Sequence, residues 1–373
     1  MLFPYIYVNH KMEKMQSYIN FIFYQVWCRA RKAGNYRIDL FDSNPALKKI
    51  MEEFHFSDTK YAYFFTSHVE RIYGLFFALS RDEVSQLKRW YQGNNCIREA
   101  CDNTQFQIVR YEEVIKKHAD LGNLLKSFFS KLYDNIDNSI LKQRIGTIDD
   151  HYDNFTKVNT VGKCPFCGIA DIHGAYHSTR EAYDHYLPKT YYPFNSINFR
   201  NLAPACHHCN SSYKTTKDPT HIPKDRINPI RRRKAFYPYS QRTYTVVISF
   251  EIKSCDFLHL KPTDLSIKFG PVEFSEELET WNDVYGIEER YKAKICSENG
   301  GIYWVEQILG EWKENGKNPA EYMITLTRNA SRKPYAENNF LKKPFLEACG
   351  NAGLFNDDQL APSMAPAEKT GKF

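Results

Sequence analysis

Two cysteine pairs, Cys164-Pro-Phe-Cys167 and Cys206-His-His-Cys209, stand about forty residues apart in the chain. Two Cys-x-x-Cys knuckles supply four soft thiolates, the tetrahedral shell that a structural zinc prefers, in a closed site with no room for substrate. Zinc would hold the fold. Asp184-His185 and Asn201 lie between the knuckles, and the second knuckle runs directly into Asn210. These are hard oxygen and nitrogen groups suited to Mg²⁺ or Mn²⁺ and to a phosphate. The chemistry is therefore expected there. His207 and His208 sit inside the second knuckle, but four sulfurs already fill a zinc shell, so they are assigned to solvent, to supporting hydrogen bonds or to a nucleic-acid backbone. His151, His173 and His177 precede the motif with no identifiable partner and read as structural.

The remaining cysteines, Cys28, Cys96, Cys101, Cys255, Cys296 and Cys349, are scattered. In a chain of 373 residues whose start lacks the features of a secretory signal, they read as free thiols in a reducing compartment, which places the protein in the cytoplasm. The most apolar stretches, Phe21 to Cys28 and Tyr61 to Leu79, are too short or too interrupted by polar residues to span a membrane. The formal charge of +6 is modest but localised: from Asp184 to Lys234 ten basic residues face three acidic ones. Tyr186, Tyr191, Tyr192 and Tyr213 lie in the same stretch. Basic and aromatic residues mixed around a candidate metal site point to a phosphate-backbone track, so DNA is the expected partner.

Residues 1–150 read as a mainly helical domain. Asn44 and Pro45 mark one helix start, Ser80-x-x-Glu83 is a capping box, and the stripe Leu121, Leu124, Leu125, Phe128, Phe129, Leu132 and Ile136 has helical spacing, more typical of a core face than of a partner surface. Residues 151–235 hold the knuckles. Arg180 to Leu187 and Phe199 to Ala203 read as short strands, with a helix beginning near Asn210 or Ser211. Residues 236–355 read as α+β: Thr243 to Ile252 and Leu265 to Phe269 as strands, then helices. Residues 356–373, without periodicity, read as a disordered tail. The expected class is α+β, with a central module between two flanking domains.

In order and spacing, Cys164-x-x-Cys167, Asp184-His185, Asn201-Leu202, Cys206-x-x-Cys209-Asn210 and Lys214 resemble the HNH, or ββα-metal, endonuclease family in its zinc-stapled form. The resemblance covers roughly residues 160 to 215. It implies that His185 activates water, that Asp184 and Asn210 ligate one divalent cation, Mg²⁺ or Mn²⁺, and that Asn201 orients His185. Asp184 and Asn210 stand where some or many members carry histidine; both bring oxygen, which keeps a hard cation plausible and disfavours a tightly held catalytic zinc or nickel. Lys189, Lys214 or Arg200 would add charge at the phosphate, and Arg231, Arg232 and Arg233 would contact the backbone or form a solvated turn. The run from Asp184 to Lys189 with Tyr192-Pro193 is also similar to HNH proteins of anti-phage systems, including the nuclease partner of an ATPase. The expected activity is metal-dependent DNA cleavage. The alternatives are a catalytically silent or partner-activated nucleic-acid-binding adaptor, and an RNase, since this chemistry does not use the 2′-OH.

Overall fold

The computed structural model describes residues 1–136, 138–242, 244–316 and 318–355; the expected disordered tail, residues 356–373, lies outside the described residues. The described residues form two compact units, one of residues 1–244 with 276–285, the other of residues 245–275 with 286–355. The sequence boundaries near residues 150 and 235 both fall inside the first unit. The class is α+β, helix-rich with small two-stranded sheets. Among the described residues no helix is long and apolar enough to cross a membrane.

Local sequence rules set the helices of the first unit. The Asn44 side chain accepts the Leu47 N–H ahead of the helix Pro45–His55, and Ser80 and Glu83 exchange hydrogen bonds at the start of Arg81–Asn95. The helix Ala119–Leu132 buries Leu121, Leu124, Leu125, Phe128, Phe129 and Leu132, so the apolar stripe is core. Around it gathers an aromatic cluster: Trp27 contacts Phe76 and Phe128, and Phe23 stacks on Tyr91 with ring centroids 3.9 Å apart.

Two three-residue strands, β1 (Tyr183–His185) and β2 (Leu202–Pro204), pair antiparallel, with Tyr183 opposite Pro204, Asp184 opposite Ala203 and His185 opposite Leu202. Both are shorter than their sequence stretches suggest. After β1 the Asn201 carboxamide replaces the ladder, accepting the Leu187 N–H at 2.8 Å and donating to the Leu187 carbonyl at 3.0 Å. Before β2, Asn198 accepts the Arg200 N–H and turns Phe199–Asn201 into a 3₁₀ turn. A helical segment, His208–Lys214, follows β2. It opens inside the second knuckle, ahead of Asn210, because the Cys206 carbonyl already accepts the Asn210 N–H.

So small a sheet is marginal in water, and the first unit fastens it from two sides. On one side, the loop between β1 and β2 is laced to the end of the helix Arg81–Asn95. Asn94 donates to the Val109 and Pro193 carbonyls, Asn195 donates to the Asn94 carbonyl, and Asn198 donates to Asn95. Phe194, at φ +79°, drives its fully buried ring among Phe23, Tyr91 and Phe129. A bulky residue is strained in that backbone region, and the aromatic core offsets the strain. On the other side is the edge of β2 turned away from β1. Asn201 and Ala205 bond toward β1, so alternation sends the carbonyls of Arg200, Leu202 and Pro204 outward, where the hydroxyls of Tyr237, Tyr239 and Tyr5 donate to them in turn. Three phenols thus occupy an edge that would otherwise be open to pairing.

The basic stretch after the second knuckle forms a small hairpin of β3 (His221–Ile222) and β4 (Arg231–Arg232). In the second unit β5 (Val247–Ile252) pairs antiparallel with β6 (Leu265–Gly270), and the helix Asn339–Asn351 packs on β5 with Phe345 against Phe250. The helices Ile287–Ile295, Tyr303–Asn315 and Pro319–Arg332 complete it.

Phe194 links core to hairpin, so Phe194→Ala is expected to destabilise the first unit by about 3–5 kcal/mol, the range for removing a buried Phe ring. Urea unfolding followed by tryptophan fluorescence measures it; a loss below about 1 kcal/mol would show that the ring does not anchor the loop.

Candidate metal centre and hairpin site

The four knuckle cysteines converge. Their sulfurs all lie within 4.8 Å of one another and all four residues are buried. Around a tetrahedral zinc at about 2.3 Å the sulfurs would stand roughly 3.8 Å apart; Cys167 Sγ and Cys206 Sγ are 3.9 Å apart. Burial pushes the Cys164 and Cys209 thiols well above their ordinary range. A dication would reverse that by stabilising the thiolates. The tetrad can hold a metal ion such as zinc. The first knuckle is shaped by Gly168, whose φ of +71° lets its N–H return to the Cys164 carbonyl at 2.7 Å. The helix Ser275–Tyr285 fastens it: Trp281 donates to the Phe166 carbonyl and Tyr285 stacks on the Phe166 ring.

Asp184 and His185 are neighbours at the end of β1. Asp184 is buried, and its Oδ1 accepts from Lys214 Nζ at 2.8 Å; that ammonium, itself buried, also donates to the His185 carbonyl at 2.9 Å. Asp184 Oδ2 is buried without a hydrogen-bond partner. Burial raises the carboxyl pKa and the ammonium opposes the shift. An orphaned carboxylate oxygen fits a cation ligand. Asn210 is half-buried on the helical segment that also carries Lys214.

His185 is half-buried, with Nε2 2.9 Å from the Ser196 carbonyl. A carbonyl only accepts, so the neutral ring carries its hydrogen on Nε2 and leaves Nδ1 as a lone-pair acceptor. Its pKa is lowered to about 3, first by burial and then by Lys189, with a smaller contribution from Lys214. The ring is therefore neutral across the physiological range. Tyr133 packs edge-on against it at 4.6 Å, and Lys189 is paired with Asp134 at 2.6 Å and bonded to the Ser130 carbonyl. The end of the helix Ala119–Leu132 and the turn after it thus lie over this side of the hairpin.

Asn201 bonds the backbone of Leu187 and the carbonyl of Asn195, so its hold on His185 runs through the chain, and Ser196 makes the direct contact. Arg200 is exposed, with its guanidinium over the Tyr7 ring at 4.2 Å. Arg231 is exposed. Arg232 donates to the carbonyls of Ala100 and Asn103, and buried Arg233 pairs with Asp283 and donates to the Asp218 carbonyl. These two guanidiniums hold the β3–β4 hairpin against the unit. Ser196 and Tyr133 had no sequence signal, one acting through its backbone and the other lying about fifty residues from His185.

No family model matches the chain, and no solved structure matches it. Among curated proteins, Protein ea31 of Escherichia phage lambda is 36% identical over 94 residues. The match covers 25% of this chain and 28% of that protein, little more than a quarter of either.

Two outcomes are expected here. Purified protein contains one equivalent of zinc by elemental analysis, and Cys206→Ser loses it and melts earlier; a variant that melted like wild type would mean the sulfurs bind no stabilising ion. Lys214→Ala strands the Asp184 carboxylate in the interior and costs about 3–5 kcal/mol, as for half of a buried ion pair. Lys214→Ala/Asp184→Asn recovers part of that loss in denaturant unfolding.

Proposed function

We propose that the chain is a metal-dependent endonuclease of the HNH type that hydrolyses DNA phosphodiester bonds, with the cysteine tetrad and its zinc as a structural staple. The observation that carries this reading is the state of His185: a neutral imidazole, its Nε2–H tethered to the Ser196 carbonyl, its Nδ1 left as acceptor, next to a buried carboxylate with an unpartnered oxygen. That arrangement presets a base. Nδ1 takes the proton of a water whose oxygen attacks phosphorus, and the P–O bond to the leaving strand breaks. Burial and Lys189 keep the ring unprotonated, and the negative charge of an arriving phosphodiester favours its taking up the proton. Asp184 and Asn210 are the residues that would hold Mg²⁺ or Mn²⁺, and a cation there would supply positive charge to the phosphorane. Lys214 holds Asp184 and the His185 carbonyl in fixed relation. Lys189, Arg200 and Arg231 would meet the DNA backbone.

A gated form of the same activity is favoured by one further observation. Tyr133 lies against the His185 ring and Asp134 neutralises Lys189, so the helical part of the unit covers the face a phosphate would approach. A partner that lifts this turn would open the site. Placement in anti-phage defence beside an ATPase rests on the motif resemblance.

The test is plasmid nicking by wild type and His185→Ala with added Mg²⁺ or Mn²⁺, with zinc measured in both and an RNA of matched sequence in parallel. The variant is expected to lose cleavage at least about a hundredfold with its zinc intact. Cleavage at the wild-type rate would remove His185 as the base, and preferential RNA cleavage would change the substrate class. For the gated form, Tyr133→Ala is expected to cut faster than wild type.

A further inference from the structure

The tyrosines that cap the outer edge of β2 also lie in the lining of a hollow of about 680 Å³. It is lined by the segment Pro4–Tyr7, by Asn95 to Glu99 and by Arg200, Tyr237 and Tyr239 to Gln241, all within the first unit. Tyr5, Tyr237 and Tyr239 are buried, with their hydroxyls on the Pro204, Arg200 and Leu202 carbonyls, and so form a floor fixed to the strand that pairs with β1, while Tyr7 is only half-buried. Tyr7 packs edge-on against Tyr239 with centroids 5.2 Å apart. Two guanidiniums share this lining. Arg200 is exposed, with its guanidinium over the Tyr7 ring and its side chain also bonded to that of Tyr237. Arg98 is 54% exposed and meets Asp102 only at 3.5 Å. Glu99 is the only acid in the lining.

Size, rings and charge together select the ligand. The volume lies within the usual range of small-molecule sites, about 300–1,000 Å³. An accessible aromatic ring takes a planar base, and exposed guanidinium groups take an anion. Stacking tyrosines beside arginines are the recurring means of holding an unpaired nucleotide. We propose that this hollow binds one nucleotide of a nucleic-acid strand, with its phosphate on Arg98 and Arg200 and its base against the Tyr7 ring. The site is separate from His185 and joined to it through the β1–β2 pairing, so it would fix where a strand lies relative to the hairpin. In that respect the inference builds on the nuclease reading, while the binding it asserts is measurable without cleavage.

The experiment is fluorescence anisotropy with a short fluorescein-labelled oligodeoxynucleotide, in buffer without added divalent cation, using the full chain. Arg98→Ala/Arg200→Ala is expected to bind at least about tenfold more weakly and to show a shallower salt dependence. Tyr7→Ala is expected to weaken binding in the same direction, and Arg98→Ala alone, at a solvent-facing position, reports on the charge without disturbing the fold. Cys96, exposed and in the lining, supplies an independent readout: bound strand should slow its alkylation while leaving that of exposed Cys255 unchanged. Competition by dAMP at comparable concentration identifies a free nucleotide as the occupant, and failure of dAMP to compete identifies a strand. Wild-type affinity in the double variant, or unprotected Cys96 at saturation, overturns the proposal. His185→Ala is expected to bind the oligonucleotide normally. Loss of cleavage in that variant with unchanged binding in the arginine variants would remove the hollow and leave the nuclease; the converse would remove the nuclease and leave the hollow.

Discussion

Three tyrosine hydroxyls on three alternate carbonyls of one strand, with an asparagine-laced loop on the other side, hold a sheet of only three residues per strand. Everything the candidate site offers is mounted on that sheet. Asp184 and His185 project from β1, Asn201 closes the ladder beyond it, and the second knuckle leads from β2 into the segment bearing Asn210 and Lys214. A hairpin of this length has almost no stability of its own. Its geometry is therefore supplied from outside, by the sulfur tetrad, by the aromatic core that takes Phe194 and by the tyrosine edge.

The same dependence explains how far the helical residues and the hairpin are intermixed. Asn94 and Phe194 are unremarkable in sequence, yet one bonds Pro193 across 99 residues of chain and the other completes the cluster around Phe23. Buried polar groups must be satisfied, and here the partners come from the loop that positions Ser196 against His185. A change in the helical core would reach the imidazole through that loop.

Charge in the site is arranged economically. One buried ammonium, Lys214, meets both the Asp184 carboxylate and the His185 carbonyl, while a second, Lys189, helps keep the imidazole neutral and is itself paired with Asp134. The cationic stretch from Asp184 to Lys234 is thus divided. Lys214, Arg232 and Arg233 are consumed by the fold, and Arg200 and Arg231 remain at the surface. A count of basic residues could not separate these groups, because whether a guanidinium meets a carbonyl or solvent depends on segments distant in the chain.

The sequence by itself determined the features governed by spacing and local chemistry. The knuckles converge because their intervals are those of a shared sulfur shell, helices begin at Asn44 and Ser80 because those side chains satisfy the first free N–H groups, and the Leu121–Leu132 stripe is buried because its period matches the helix. Tertiary structure alone decided the strand lengths, the pairing of Asp184 with Lys214, the tethering of His185 to a backbone carbonyl, the cover of Tyr133 and the tyrosine edge. Each of these joins groups far apart in sequence or acts through a main-chain atom that every residue possesses. No side-chain pattern can announce them before the chain has closed.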